Sequence, residues 1–333
     1  MEELITLDYG SGGKKTASLI EKLILPQLDN PALRQLGDGA VVPGGEELVF
    51  STDSFVVSPR FFPGGDIGKL AVCGTVNDIC MSGGEPKWLS LALIIEEGLP
   101  AAQLEQILSS VAGAAKEAGV CIVTGDTKVV EKGRGDGIYI NTAGIGVLRH
   151  PGLSPRAIRP GDRVLVSGTV GDHGAAVMLA RNQNLVRGEL KSDCAPLHRL
   201  CAALRQLGSG LRVLRDPTRG GVATTLCEFV EGTALSILLE EADIPVRPAV
   251  ASACDILGLD PLYCANEGKL LAVVAPERAE EALALLRGLP EGENAAVIGT
   301  VGEQWPGRVA VRTALGGTRI AAKLAGAQLP RIC

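Results

Sequence analysis

Short glycine runs cut this chain into pieces, and the pieces between them alternate in apolar spacing. GSGG (10–13), PGGD (63–66), SGGE (82–85) and TRGG (218–221) read as tight turns, because glycine takes positive φ without steric cost. ELVFSTDSFVV (47–57) is rich in β-branched and aromatic residues and predicts a strand. DIGKLAVCGTVNDICMSGG (66–84) opens on Asp66 as an N-cap, sets Ile67, Leu70 and Ala71 at helical spacing and stops at a glycine pair. WLSLALIIEEGL predicts a strand, and AQLEQILSSVAGAAKEAG an amphipathic helix stopped by Gly119. VCIVTGDTKVVE reads as a strand running into a loop, and GIYINTAGIGVL as a further strand. Strands alternating with helices predict the α/β (α+β) class.

LRHPGLSPRAIRPGD (148–162) has three prolines and no periodicity, so it predicts a junction. Beyond it, RVLVSGTVGDHGAAVMLARN reads as strand, turn and helix. VATTLCEFVEG places Val222, Leu226, Phe229 and Val230 on one helical face, and RAEEALALLRGL buries Ala279, Ala282, Leu283 and Leu286. The expected domains are 1–150 and 151–322, followed by a mobile tail, 323–333, whose small residues pack no core.

At 333 residues the chain has room for two cores, and with 3% aromatics those cores are built from Ala, Val, Leu and Ile. A net charge of −6 with no basic stripe argues against nucleic acid as a partner. No apolar run approaches the ~18–20 residues that span a bilayer, so no membrane is expected. MEELITLDYG lacks the apolar region of a signal peptide. Cys73, Cys80, Cys121, Cys201 and Cys227 read as small buried hydrophobes, and no C-x-x-C pair occurs. Together these features predict a cytoplasmic protein whose thiols stay reduced.

Four aspartates stand beside small residues at element ends: Asp38 in LGDGA, Asp53 in STDSF, Asp78 in VNDIC and Asp126 in TGDTK. Converging carboxylates with phosphate oxygens suit Mg2+, while each Asp taken alone reads first as a turn or cap residue. GSGGK (10–14) offers backbone amides to an anion, or is simply an N-terminal loop. Lys128 lies two residues after Asp126, so on extended backbone both point one way. Glu267 in ANEGK is a candidate base, or an exposed turn residue paired with Lys269. In VGDHGAA, Asp172 reads as an N-cap, and His150 and His198 give no signal. RDPTRGG, with Asp216 and Arg219, binds an anion or caps a helix. The chain closes on LPRIC, which holds out an accessible thiol, Cys333. There Pro330 stiffens the tip, Arg331 suits an acidic rim and Ile332 a small apolar pocket.

GSGGK, TDSFVVSPRFFPGGDIGKLAVCGTVNDICMSGG, TGDTKVV, SGTVGDHGAA, RDPTRGGV, ANEGK and PRIC occur in one order along the chain. That series resembles the HypE family of hydrogenase maturation factors. The family belongs to the ATP-binding superfamily of aminoimidazole ribonucleotide synthetase, selenophosphate synthetase and thiamine-phosphate kinase. The PRIC ending is the part specific to HypE. The resemblance implies a two-domain PurM-like fold. Its N-terminal domain gives strands to a β-barrel across a homodimer interface, and ATP lies between that domain and a C-terminal α/β domain.

By the same resemblance Asp38, Asp53, Asp78 and Asp126 are the Mg2+ ligands and help bind ATP. Asn77, Thr124 and Gly125 sit beside the nucleotide, and Gly10, Ser11, Gly12, Gly13 and Lys14 cover its phosphates. Cys333, Lys128 and Glu267 match the catalytic positions. The implied activity is ATP-dependent dehydration of a carbamoyl group on Cys333, loaded by the carbamoyltransferase HypF, to a thiocyanate. The cyanide then goes to iron held by the HypC–HypD complex in [NiFe]-hydrogenase maturation. One position departs: where the family has two adjacent acids, this chain reads Gly37-Asp38-Gly39. Two alternatives stay open, a small-molecule kinase or synthetase of the same superfamily and a non-catalytic scaffold.

Overall fold

The computed structural model describes residues 4–6, 19–30, 47–181, 190–323, 329 and 331–333. The 10–14 loop, Asp38, Gly39 and Pro330 lie outside the described residues.

The first half builds an open four-stranded sheet backed by two helices. β1 (Leu48–Phe55) is followed by the short strands β2 (Phe61–Phe62) and β3 (Gly65–Asp66), then by α1 (Ile67–Met81) and β4 (Gly84–Glu96). α2 (Ala101–Ala118), β5 (Cys121–Val130) and β6 (Ile138–Leu148) complete it, in the strand order β1-β6-β4-β5. Only β4 and β5 pair in parallel, the α2 crossover allowing it. Asp66 caps α1 as its position predicts, accepting from the amides of Gly68 and Lys69 at 2.8 and 3.0 Å. Gly119 ends α2 at φ 68°.

The sheet has two unlike faces. Phe55, Leu89, Leu91, Leu93, Ile95, Ile138 and Ile140 are buried, on the face toward α1 and α2. The other face is uncovered and carries Leu48, Phe50 and Ile94, with Phe50 67% exposed.

The second half is a seven-stranded sheet, β13-β12-β9-β11-β7-β10-β8, antiparallel except for β12–β9. Its strands are β7 (Arg163–Val166), β8 (Leu211–Arg215), β9 (Ser236–Glu240), β10 (Leu271–Val274), β11 (Ala296–Gly302), β12 (Val309–Arg312) and β13 (Thr318–Ala321). Its helices are α3 (Asp172–Arg181), α4 (His198–Leu204), α5 (Gly221–Val230), α6 (Pro248–Leu257) and α7 (Ala279–Arg287). One apolar core runs from the first sheet through α1 to Leu200, Leu204, Ala282 and Leu286 of α4 and α7, so the halves are packed together. No described helix is long and apolar enough to cross a membrane.

Four details differ from expectation. TGDTK lies wholly inside β5, because its residues keep pairing with Ser90–Ile94 of β4. Cys121 is exposed, since it stands opposite Trp88 on the uncovered face. Asp172 is the first residue of α3 and not its cap, with its carboxylate buried and bonded by Thr169 Oγ1. The tail tip, expected to be mobile, is docked here: Ile332 is 2% exposed within the main core.

Candidate active site

β1 exposes alternate side chains to each face, so Ser51, Asp53 and Phe55 share the helix side. The Ser51 hydroxyl donates to Asp78 Oδ2 at 2.9 Å, which seats the Asp78 carboxylate of α1 against β1. The preceding residue, Asn77, faces the second half. Its amide donates to the Ala195 and Glu267 carbonyls at 3.2 and 3.3 Å and accepts from the Leu197 amide at 2.8 Å. Asn77 therefore staples the ANEGK loop over Asp78.

The ANEGK loop is held from both sides. Asn266 Nδ2 donates to the Pro217 carbonyl at 3.2 Å, tying it to the RDPTRGG turn. Asp193 accepts from the amides of Glu267 and Gly268 at 3.1 and 3.3 Å. Lys269 pairs with Asp193 at 3.7 Å, so the Glu267–Lys269 turn pair is absent and Glu267 is 3% exposed. Gly221, at φ 60°, brings the RDPTRGG turn against this loop: a Cβ there would lie 2.5 Å from the Leu262 carbonyl oxygen.

These elements gather four carboxyl groups. Burial, foremost, raises the pKa of Asp53, and it raises that of Asp78 with Asp53 adding to the effect. Burial and then the Asp78 charge push Asp216 up to about 7. Glu267 is raised well above the carboxylate range, by burial first and then by acidic neighbours that include Asp216 and Asp53. Its Oε1 has no hydrogen-bond partner among the described residues. Arg219 is the opposing charge felt by Asp53, Asp78 and Cys333 alike.

Cys333 enters this pocket from the docked tail. Val56 N–H donates to the Cys333 carbonyl and Ser58 N–H to the Arg331 carbonyl, each at 3.2 Å. Arg331 pairs with Asp136, an acidic rim. Burying Ile332 contributes roughly 1.5–3 kcal/mol, and ordering the backbone costs about 1–2 kcal/mol per residue. Burial, then the Glu267 carboxyl, pushes the Cys333 thiol up to about 12, so it stays protonated near neutral pH.

Asp126 and Lys128 are elsewhere. They point one way, as the two-residue spacing requires, with Lys128 Nζ 2.6 Å from Asp126 Oδ1. In register Asp126 pairs with Ala92, and Ala92 with Asn141, on the uncovered face. β5 and β1 are opposite edges of the sheet, about 14 Å apart at ~4.8 Å per strand. One chain therefore gathers Asp53, Asp78, Glu267 and Cys333, and leaves Asp126 and Lys128 across the sheet. Thr124 and Gly125 lie on the same edge strand, where a Cβ on Gly125 would strike the Leu91 carbonyl.

Sequence reasoning missed Asp193, which carries no motif. It left Asp216, Arg219 and His173 unassigned, although RDPTRGG and GDHG were visible.

Two family models match the chain: AIR synthase related protein, N-terminal domain, over residues 36–148, and AIR synthase related protein, C-terminal domain, over 159–312. Carbamoyl dehydratase HypE of Cupriavidus necator is 51% identical over 332 residues, covering 99% of this chain and 95% of that protein. The chain belongs to the HypE family. A crystal structure of hydrogenase maturation protein HypE in complex with ATP matches at TM-score 0.94 and 49% identity, covering 98% of this chain and 99% of that one. HypE in a crystal structure of a HypE–HypF complex matches at TM-score 0.80 and 48% identity, covering 92% and 100%. The two-domain α/β PurM-like fold expected from the HypE resemblance is thereby borne out.

Proposed function

We propose that this chain is an ATP-dependent carbamoyl dehydratase that converts a carbamoyl group on Cys333 to a thiocyanate, supplying cyanide in [NiFe]-hydrogenase maturation. The observation that carries this reading is the docked tail, which brings Cys333 within electrostatic reach of Glu267, Asp53 and Arg219. A small-molecule kinase has no use for its own thiol at that point.

The residues fit a hard dication. Three carboxyl groups stand close enough to raise one another's pKa, with Glu267 Oε1 unpartnered beside them. Among the described residues no three such side chains converge as a closed metal site. Mg2+ commonly needs only one or two carboxylates, since phosphate oxygens complete its shell. Asp53 and Asp78 are the ligands we assign, with Asp38 as a third, and the ion would neutralise charge on the transferred phosphoryl group.

An amide oxygen is a poor leaving group, and taking the γ-phosphoryl of ATP converts it to phosphate. One N–H proton leaves as the oxygen is phosphorylated, and the other as phosphate departs and the C≡N bond forms. Glu267 is the acceptor we assign, because a carboxylate with a high pKa binds an amide proton more firmly than an ordinary one. Arg219 is placed to hold the phosphoryl oxygens. The docked Cys333 thiol is too weakly acidic to attack a carbamoyl donor, so loading takes place with the tail outside. The carbamoyltransferase HypF is the partner for that step, as a HypE–HypF complex exists for a relative. The HypC–HypD complex is the acceptor we assign for cyanide, and the cytoplasm the compartment.

Lys128 completes the site from a second copy. A homodimer that closes the two uncovered sheet faces into a β-barrel would bury Leu48, Phe50 and Ile94 and carry Asp126 and Lys128 across to the partner's nucleotide. Support comes from the apolar character of that face.

Intact-protein mass spectrometry tests the activity. With HypF, carbamoyl phosphate and Mg2+–ATP, a carbamoyl adduct forms on Cys333 and then loses one water. An adduct that persists in the presence of ATP refutes the reading.

A further inference from the structure

The chemistry above leaves one buried cluster unused, the polar groups of α3 that touch the tail. We propose that α3 is the receptor for the chain tip. His173 and Arg181, from its two ends, are positioning residues that place Cys333 by gripping main-chain carbonyls and not the thiol. This rests on reading Cys333 as the substrate-bearing residue.

His173 is fully buried, with Nε2 2.8 Å from the Ile332 carbonyl oxygen and Nδ1 2.8 Å from Ser192 Oγ. A carbonyl only accepts, so Nε2 carries the proton and donates it to Ile332. Nδ1 then accepts from the Ser192 hydroxyl, whose oxygen accepts in turn from the Cys194 amide at 3.1 Å. Each member of that chain fixes the next. The imidazole is further set edge-on against Phe62, with centroids 5.4 Å apart at 88°.

Arg181, at the other end of α3, donates from Nε to the Ser58 carbonyl at 2.5 Å and from its terminal nitrogen to the Arg331 carbonyl. Between them Gly174 seats Leu329: a Cβ there would lie 3.1 Å from Leu329 Cδ1 and 2.9 Å from the Ala265 nitrogen. Arg331 bends the tip through a left-handed φ of 52°, unique among the described non-glycine residues. Such strain persists where surroundings over-determine it. Here the Ser58 amide, Arg181, the Val56 carbonyl and Asp136 all hold Arg331.

None of these contacts reaches Sγ. The hydrogen bonds of the seat therefore do not depend on whether Cys333 carries a thiol, a carbamoyl or a cyano group, and their strength helps set how long the tail stays in. Weakening it has opposite effects on the two halves of the cycle. Loading by the transferase speeds up, and dehydration slows.

The test is pulsed alkylation of the full chain with iodoacetamide, read by peptide mass spectrometry. Added glutathione serves as the reference thiol. His173→Ala raises the Cys333 rate relative to glutathione about tenfold, as loss of a hydrogen bond of ordinary strength would. His173→Gln, whose amide nitrogen reaches the Nε2 position, stays near wild type, while His173→Asn, which reaches only Ser192, behaves as alanine. Arg181→Met keeps the stem and gives a smaller rise, and carries the test if the His173 variants fail to fold. Unchanged Cys333 rates in both His173→Ala and Arg181→Met overturn the proposal. So does a parallel fall in carbamoyl loading and dehydration, which is what general damage produces. If the alkylation pattern holds and wild type dehydrates nothing, the latch stands and the dehydratase reading falls.

Discussion

Two sets of aspartates occupy opposite faces of the N-terminal sheet, and they live under opposite electrostatics. On the uncovered face the Lys128 ammonium holds Asp126 below the usual carboxylate range, and both side chains are about 60% exposed. Surface pairs of this kind contribute about 0–1 kcal/mol, so the lysine can be redirected to another anion at little cost. On the helix face Asp53 and Asp78 are raised by burial and crowding, together with Asp216 and Glu267. Four acids that repel one another are a standing cost to the fold, and a cation with its phosphates relieves it. The cation-poor pocket and the lightly held cation are complementary, yet one sheet cannot bring them together.

The largest effect that would break this comparison lies at Glu267. Glu267→Gln lowers single-turnover dehydration by roughly 10²–10⁴ while folding normally. Because the raised group must lose its proton to act, the wild-type rate keeps climbing above the usual carboxylate range and does not level off there. A profile already flat just above that range would remove Glu267 as the base. Lys128→Ala costs somewhat less, about 10²–10³. Mixing it with Glu267→Gln chains sharpens the point. If Lys128 serves the partner's site, exchanged dimers regain about a quarter of wild-type activity, whereas a lysine acting within its own chain regains none.

Asp216→Asn is a stability experiment. The folded pKa of about 7 lies above the ordinary 3.8, so the favourable contribution of Asp216 is complete below about pH 4 and is lost as pH rises through 7. The asparagine variant, uncharged throughout, gains on wild type over that window by up to about 4 kcal/mol in urea unfolding. Wild type matching the variant at pH 8 would mean the cluster is not crowded. Asp126→Asn is the smallest case. It shifts stability by under about 0.5 kcal/mol at any salt concentration, because its pair is solvated.

Much of the fold was legible in local pattern. The strand read in ELVFSTDSFVV is β1, and Asp66 capped α1 where an N-cap was expected. The spacing of Asp126 and Lys128 foretold their contact. Cys121 was misread because apolar neighbours in a strand do not say which face is covered. Nor did any spacing reveal that free, buried thiols lie near one another across the molecule, Cys73 by Cys194 and Cys80 by Cys201. Asp193 had no signal, since its work is to hold the backbone of a loop more than seventy residues away.

By itself the sequence determined β1, α1, β4, α2, β5 and β6 of the first half and β7, α3, α5 and α7 of the second, and it placed a thiol behind Arg331 and Ile332. Those properties depend on neighbours within one turn or one pleat, so periodicity encodes them. Only the tertiary structure decided that Asp53, Asp78, Asp216 and Glu267 lie within electrostatic reach of one another, that Cys333 comes near Glu267 and Asp53 while Lys128 lies across the sheet, and that His173 and Arg181 clasp the tail. Those outcomes depend on strand order and on how two sheets pack through α1, contacts between residues far apart in sequence that no local pattern specifies.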